Sequence, residues 1–279
     1  MREKIIMFMK KKIILTLMLA LVFTGLAAST EAADAPVLKR VLESGQLRVG
    51  MTGNQPPMNV KSRTGAFIGL DVDLANMLAE SMGVKLTMVP KPFPQLLTAL
   101  KAGEVDMVMS NMSITAQRTV DVSFIGPYML SGSSILTKKT NLAAVSSASE
   151  INKAEFKIAV LDNSTSLQFV EKNLSKATLV RTQDYDEAVD MVLNNEVDLM
   201  VADLTICVLT AMRHPDSNLT TLKAPLNMEP IGIAISSEDA QFANLLTNYL
   251  ATYKRAGILE MLRNKWLEND AWISSIPSR

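Results

Sequence analysis

The chain has 279 residues, with 28 basic and 28 acidic side chains, so its formal net charge is zero. This balance lacks the basic excess that nucleic-acid binding needs, and the single histidine, His214, excludes a multi-histidine metal site. The single cysteine, Cys207, allows no internal disulfide, and its apolar surroundings, LTICVLTAM, predict a buried core residue. We therefore expect no metal, no other cofactor and no nucleic-acid partner.

Residues 1–32 have the order of a secretory signal peptide: a basic start, an apolar run (IILTLMLALVFTGL) and then small and polar residues. Thr30 and Ala32 suit a cut after Ala32, whereas Ala28 and Thr30 suit a cut after Thr30. The alternative is a membrane anchor, but the run is shorter than the roughly 20 residues that a spanning helix needs. No cysteine follows the run, so a lipid-modified N-terminus is not expected. The prediction is a secreted, periplasmic protein.

Strand-like and helix-like segments alternate along the rest of the chain. In chain order the pattern predicts strand QLRVGM, helix VDLANMLAESMG, strand VKLTMV, helix PQLLTALKA, strand VDMVMS, strand FKIAVL, helix SLQFVEKNL, strand ATLVR, helix YDEAVDMVLNN, strand VDLMVA, strand EPIGIAI, and helices AQFANLLTNYLATYKRAG and ILEMLRNKWLEN. Asp71 is the predicted cap of the first helix and Gly83 its end. This alternation predicts an α/β fold with parallel-rich sheets.

Two of the predicted strands nearly repeat each other. GEVDMVMSN covers 103–111 and NEVDLMVAD covers 195–203, which suggests two similar α/β lobes, although two buried strands can also resemble each other by chance. Ligands of open α/β sheets bind beyond the carboxyl ends of the strands. If the lobes face each other, these two strand ends point into one cleft.

The segment SNMSITAQR, which follows the first of these strands, concentrates hydrogen-bonding groups. Thr115 is a predicted N-cap of a helix beginning AQR, and a helix N-terminus favours an anion. Ser113 adds a hydroxyl, and Arg118 adds a guanidinium that can hold a carboxylate through two parallel bonds. The alternative is a surface arginine on an ordinary capped helix.

Asp203 ends the other strand, where a carboxylate is costly unless it has a partner. It could simply cap the next helix. A carboxylate in one lobe and Arg118 in the other would together hold a zwitterion, with Arg118 taking an α-carboxylate and Asp203 an α-ammonium. We expect each charged hydrogen bond to contribute roughly 1.5–3 kcal/mol.

With these motifs in view, the chain resembles the periplasmic amino-acid-binding proteins of ABC importers, solute-binding family 3. The resemblance is carried by ESGQLRVGMTGNQPP, by GAFIGLDVDLANMLAESMGVKL and by LLTALKAGEVDMVMSNMSITAQRTVDVSFIGPY. It implies a two-lobed type II periplasmic-binding-protein fold with two hinge crossings. Implied boundaries are 33–137 with 231–279 for lobe 1 and 142–226 for lobe 2, with hinge segments near 136–141 and 227–233.

The resemblance also assigns site residues. It implies that the ligand contacts Ser110, Met112 through its backbone, Ser113, Arg118, Thr165 (toward the carboxylate) and Asp203 (toward the α-amino group). Many relatives carry a ring at the position of Gln55, so Gln55 could instead hydrogen-bond the ligand side chain, with Phe93 supplying apolar surface. Asn163 and Ser164 stand where relatives usually have Gly-Thr.

The resemblance implies a monomeric carrier that delivers an amino acid to a membrane permease. There is also a likeness to the periplasmic enzyme cyclohexadienyl dehydratase, which has a carboxylic acid where this chain has Leu167. Since Leu167 cannot protonate a leaving group, a binding protein is favoured over an enzyme. A further alternative is a ligand-sensing protein for a membrane receptor, but no signalling segment is visible up to Arg279. Which amino acid binds is left open.

Overall fold

The computed structural model describes residues 35–277, so the predicted signal peptide lies outside the described residues. The helices are α1 Pro36–Ser44, α2 Leu70–Ser81, α3 Leu96–Lys101, α4 Thr165–Asn173, α5 Tyr185–Leu193, α6 Leu204–Arg213, α7 Ala240–Arg255 and α8 Ile258–Arg263. The strands are β1 Gln46–Met51, β2 Asn54–Gln55, β3 Asn59–Lys61, β4 Phe67–Ile68, β5 Lys85–Pro90, β6 Met107–Val108, β7 Ser123–Ser131, β8 Ser133–Thr137, β9 Lys157–Leu161, β10 Thr178–Thr182, β11 Leu199–Asp203, β12 Thr220–Thr221 and β13 Glu229–Ile235. No helix within 35–277 has the length and apolar character to cross a membrane.

Two five-stranded sheets form the centres of two lobes. The first sheet has the order β5-β1-β6-β13-β7 and the second β10-β9-β11-β8-β12. In each sheet the first three strands are parallel, and the last two are antiparallel to their neighbours. The predicted α/β fold with parallel-rich sheets is confirmed. The fourth strand of each sheet, β13 in the first and β8 in the second, is antiparallel to its parallel neighbour, and the chain enters it directly from the other lobe rather than through a helix.

The chain changes sheet twice. It passes from β7 to β8 at Gly132, and from β12 to β13 over residues 222–228. The two crossings touch, since Ser133 N–H donates to Asn227 Oδ1 (2.6 Å) and Leu226 N–H donates to the Ser133 carbonyl (2.7 Å). The expected boundary placed residues 133–137 in lobe 1, but Ser133–Thr137 pairs with β11 in the second sheet. The other predicted lobe limits stay predictions.

The first predicted helix starts differently from its prediction. Gly69, with φ 138°, precedes α2, and a Cβ there would lie 2.2 Å from the Met58 carbonyl oxygen. Asp71 is therefore inside the first turn and not the cap. Its buried carboxylate accepts hydrogen bonds from Tyr128 Oη (2.6 Å) and Asn59 Nδ2 (2.9 Å) instead.

A single buried apolar cluster spans both lobes. It joins Phe93 and Met112 of the first lobe to Tyr185 and Ile206 of the second. The lobes are thus packed together around the ends of β6 and β11.

Candidate functional site

The ends of β6 and β11 meet between the lobes. Asn111 follows β6 and Asp203 is the last residue of β11. Asn111 Nδ2 donates a hydrogen bond to Asp203 Oδ2 at 2.7 Å. These are the two positions that the near-repeat makes equivalent, so the strand ends do face each other.

Asp203 is buried, with 6% of its surface exposed. It precedes α6 but its side chain caps no backbone N–H, so the capping alternative is wrong. Its Oδ1 accepts from Ser131 Oγ at 2.8 Å. Burial, followed by the nearby Glu229 carboxylate, raises the pKa of Asp203 to about 7. No salt bridge within the described chain includes it.

Arg118 is equally buried, at 8% exposure. Its Nη1 donates to the Ser113 carbonyl and its Nη2 to the Asn163 carbonyl, both at 2.8 Å, so it joins the two lobes. Burial lowers the pKa of Arg118 to about 10, which leaves the guanidinium charged at neutral pH. None of the salt bridges between residues 35 and 277 includes Arg118. The site therefore holds a buried cation and a buried carboxylate, and neither is ion-paired.

The predicted helix after Thr115 is wrong. The chain forms only a 3-10 turn over Arg118–Val120, and Thr115 Oγ1 accepts from Arg118 N–H at 3.2 Å. Without an α-helix there is no helix dipole to attract an anion. The prediction that a ligand carboxylate binds here therefore rests on the Arg118 guanidinium.

Ser113 and Thr165 face each other across the lobes, with 3.2 Å between their hydroxyl oxygens. Thr165 is the first residue of α4. Met112 is 1% exposed. It lines a cavity with Phe93, and its backbone carbonyl already accepts from Gly232 N–H at 3.0 Å.

Gln55 and Ser110 lie inside the first lobe. Ser110 Oγ donates to Gln55 Oε1 at 2.7 Å, and Asn59 Nδ2 lies 3.5 Å from the same oxygen. Gln55 is 1% exposed and Ser110 is fully buried. The structure groups these two with the polar network around Asp71 and not with the cavities, so their predicted contact with a ligand stays a prediction.

Glu229, the first residue of β13, is a site residue that the sequence reasoning missed. It is 8% exposed and accepts hydrogen bonds from Ser113 Oγ (2.7 Å), Ser133 Oγ (3.1 Å) and Asn227 Nδ2 (3.0 Å). The signal was present: an acid opens the apolar strand EPIGIAI, as Asp203 closes another.

Two cavities, with volumes of about 410 and 420 Å³, lie near these residues; Arg118 lines the second, and Asp203 lines neither. Both fall within the roughly 300–1,000 Å³ of small-molecule sites. Phe93 lines both, and its ring lies 5.7 Å from the Arg118 guanidinium carbon. The first is also lined by Thr52, Asn54, Pro90, Lys91, Pro92, Leu161, Gln183, Asp184 and Tyr185. The second is also lined by Pro94, Leu97, Met112, Gln117, Arg118, Asp121, Asn163, Ser164, Leu167, Gln168, Glu171 and Arg181.

The family model of the bacterial extracellular solute-binding proteins, family 3, matches residues 47–269. The chain belongs to this family. It is 28% identical over 243 residues to cyclohexadienyl dehydratase of Pseudomonas aeruginosa, covering 87% of this chain and 90% of that one. It is 27% identical over 284 residues to the L-arginine-binding protein of the same organism, covering 94% and 99%.

The crystal structure of an ancestral amino acid-binding protein, described as a precursor of cyclohexadienyl dehydratase, is also similar. It has 33% sequence identity and a TM-score of 0.75, and the match covers 82% of this chain and 98% of that one. The architecture is the type II fold of periplasmic binding proteins, as the family resemblance implied.

Proposed function

We propose that this family 3 protein is the extracytoplasmic, periplasmic binding component of an ABC importer, and that it captures an L-α-amino acid or a close analogue between its lobes. The observation that carries the proposal is the pair Arg118 and Asp203. They lie in different lobes, both are buried, and neither belongs to a salt bridge within residues 35–277. Relatives named as amino-acid binders support the same ligand class.

The charges define the ligand chemistry. Arg118 pairs with the α-carboxylate and Asp203 with the α-ammonium, with Ser113 and Thr165 beside the carboxylate. An unpaired charge in a closed site costs several kcal/mol, so a ligand that lacks either group binds poorly. The site therefore selects amino acids over simple acids and amines.

Capture uses closure about the two adjacent crossings, Gly132 and residues 222–228. Hinge closure around a ligand is an established mode of motion for periplasmic binding proteins as a class. A monomer that releases its ligand to a membrane permease completes the proposed role.

Isothermal titration tests the ligand class with L-arginine against agmatine, which lacks the carboxylate, and against 5-guanidino-2-oxopentanoate, which lacks the ammonium. L-Glutamine and its 2-oxo acid form a second set. At 100 times its dissociation constant a bound amino acid stabilises the protein by about 2.7 kcal/mol, which a thermal shift detects. Equal binding of an amino acid and its 2-oxo acid contradicts the proposal.

A dehydratase activity is the second candidate, because a relative with 90% of its length matched is cyclohexadienyl dehydratase. Leu167 stands where that likeness requires a carboxylic acid, and it lines the 420 Å³ cavity with 6% of its surface exposed. We propose that the chain is not an enzyme. Incubation with prephenate, followed by assay for phenylpyruvate, tests this, and turnover by the wild-type protein overturns it.

A further inference from the structure

Tyr185 is a buried aromatic residue in the site to which no role has been given above. It is the first residue of α5 in the second lobe and is 5% exposed. It lines the 410 Å³ cavity together with Phe93 of the first lobe. Each lobe thus contributes one aromatic ring to this cavity.

The ring lies beside the segment that contains Gln55. Tyr185 lines a smaller pocket with Asn54 and Pro56, the residues on either side of Gln55. The Gln55 side chain itself is engaged with Ser110 inside the first lobe. The aromatic surface next to this segment is therefore supplied by the second lobe.

The hydroxyl of Tyr185 is a second, independent observation. It makes no hydrogen bond within residues 35–277, and it is not one of the fully buried polar atoms that lack a partner, so the oxygen has access to solvent although the residue as a whole is only 5% exposed. Asp203, Glu229 and Arg118 all lie close enough to act on it electrostatically. Burial, followed by the Asp203 carboxylate, raises the pKa of Tyr185 well above its ordinary value, so the hydroxyl keeps its proton and remains a donor.

We propose that Tyr185 determines ligand affinity and specificity: its ring covers the bound ligand opposite Phe93, and its hydroxyl donates a hydrogen bond to the ligand. This inference rests on the proposed amino-acid-binding function. Because Tyr185 and Phe93 belong to different lobes, the two rings enclose the ligand only when the lobes are closed. Tyr185 thus couples ligand contact to closure.

The test measures dissociation constants of the full chain for the twenty L-amino acids by isothermal titration, in the wild type, Y185F and Y185L. Y185F keeps the ring and removes only the hydroxyl, so it weakens binding about tenfold. Y185L also removes the ring and weakens binding about a hundredfold. Y128F is the matched control, since Tyr128 is a buried tyrosine whose hydroxyl donates to Asp71 at 2.6 Å within the first lobe. It should lower the melting temperature and leave ligand affinity within about twofold.

The outcomes separate the two proposals. If the wild type binds no amino acid, the proposed function fails, and this inference fails with it. If the wild type binds and both Tyr185 variants bind within about twofold of it, this inference alone is overturned. If Y185F lowers affinity no more than Y128F does, the proposed hydroxyl contact is overturned; Y185L still decides the role of the ring.

Discussion

GEVDMVMSN and NEVDLMVAD enter their sheets in the same way, but the chain leaves the two strands differently. After β6, Asn111 adopts a positive φ of 49°, and the chain stays irregular until the 3-10 turn at Arg118–Val120. After β11, Asp203 leads directly into the ten residues of α6. Both ends are buried, and they are joined by the Asn111–Asp203 hydrogen bond.

The irregular segment after β6 places more polar side chains between the lobes than the helix after β11 does. In an α-helix the backbone groups bond one another, whereas the chain after β6 turns Ser113 and Arg118 toward the second lobe. The second lobe offers one carboxylate at the matching position. The difference makes the two strand ends asymmetric, since the segment after β6 supplies the Arg118 cation and the end of β11 supplies the Asp203 carboxylate. The five predictions below test this asymmetry.

The largest expected effect is at the irregular exit. Arg118→Ala removes the buried cation, and we expect amino-acid affinity to fall by more than about a hundredfold, as for loss of a buried charged hydrogen bond. Isothermal titration measures it. Arg181→Ala is the control, since Arg181 lines the same cavity but its side chain is 54% exposed and pairs with Glu171. Equal losses in both variants contradict a specific role for Arg118.

At the helical exit, Asp203→Asn should weaken binding about a hundredfold, and it should also remove a pH dependence. Only the ionised carboxylate holds an ammonium, and its pKa is raised to about 7. Wild-type affinity should therefore fall as the pH drops below about 7, by at most about tenfold per pH unit, while Asp203→Asn stays flat. Titrations between pH 5 and 8 check this, and a flat wild-type profile contradicts it.

The raised pKa of Asp203 also makes the stability of the ligand-free fold depend on pH. Stability should fall as the pH rises, whereas ligand affinity should fall as the pH drops. A carboxyl with a higher pKa in the folded state stabilises the fold below its unfolded pKa, and this contribution is lost as the pH rises through about 7. Asp203→Asn should remove this contribution from the pH profile of the free energy of unfolding. Urea titrations of the ligand-free protein at pH 5 and pH 8 measure it.

The next prediction concerns Gly132, where the chain first crosses between the two lobes. A Cβ at Gly132 would lie 1.9 Å from the Asn227 carbonyl oxygen, so Gly132→Ala forces the two crossings apart. We expect the free energy of unfolding to fall by about 1–3 kcal/mol. Chemical denaturation measures this, and Gly65→Ala is the control because nothing lies within 4 Å of a Cβ there. The control should lose less, although its positive φ has a cost of its own.

The smallest effect is expected for the bond that joins the two strand ends. Asn111→Ala removes the hydrogen bond to Asp203, but it also removes Asn111 Oδ1, a buried atom without a hydrogen-bond partner. The two changes oppose each other, so stability should change by no more than about 1 kcal/mol. Urea denaturation tests it, and a loss of several kcal/mol would show that this bond holds the lobes together.

The sequence indicates residues whose burial contradicts their polarity. Asp203 is such a residue because it is a carboxylate at the end of an apolar strand. Arg118 is another because it follows several residues with side-chain hydroxyls. Glu229 carries the same signal at the start of β13. Tyr185 carries no such signal, since an aromatic residue at the start of an amphipathic helix is ordinary. Gln55 was assigned by position alone, and its hydrogen bond to Ser110 turns it into the lobe.

By itself the sequence determined the alternation of strands and helices, the resemblance of the two lobes and the two charges of the site, because periodicity and buried polarity are local properties of the chain. Tertiary structure decided which groups meet. The contacts between Asn111 and Asp203, between Arg118 and the Asn163 carbonyl, and between Ser113 and Glu229 join residues far apart in the chain. Their geometry depends on how two sheets are oriented around two crossings, and no local pattern records that orientation.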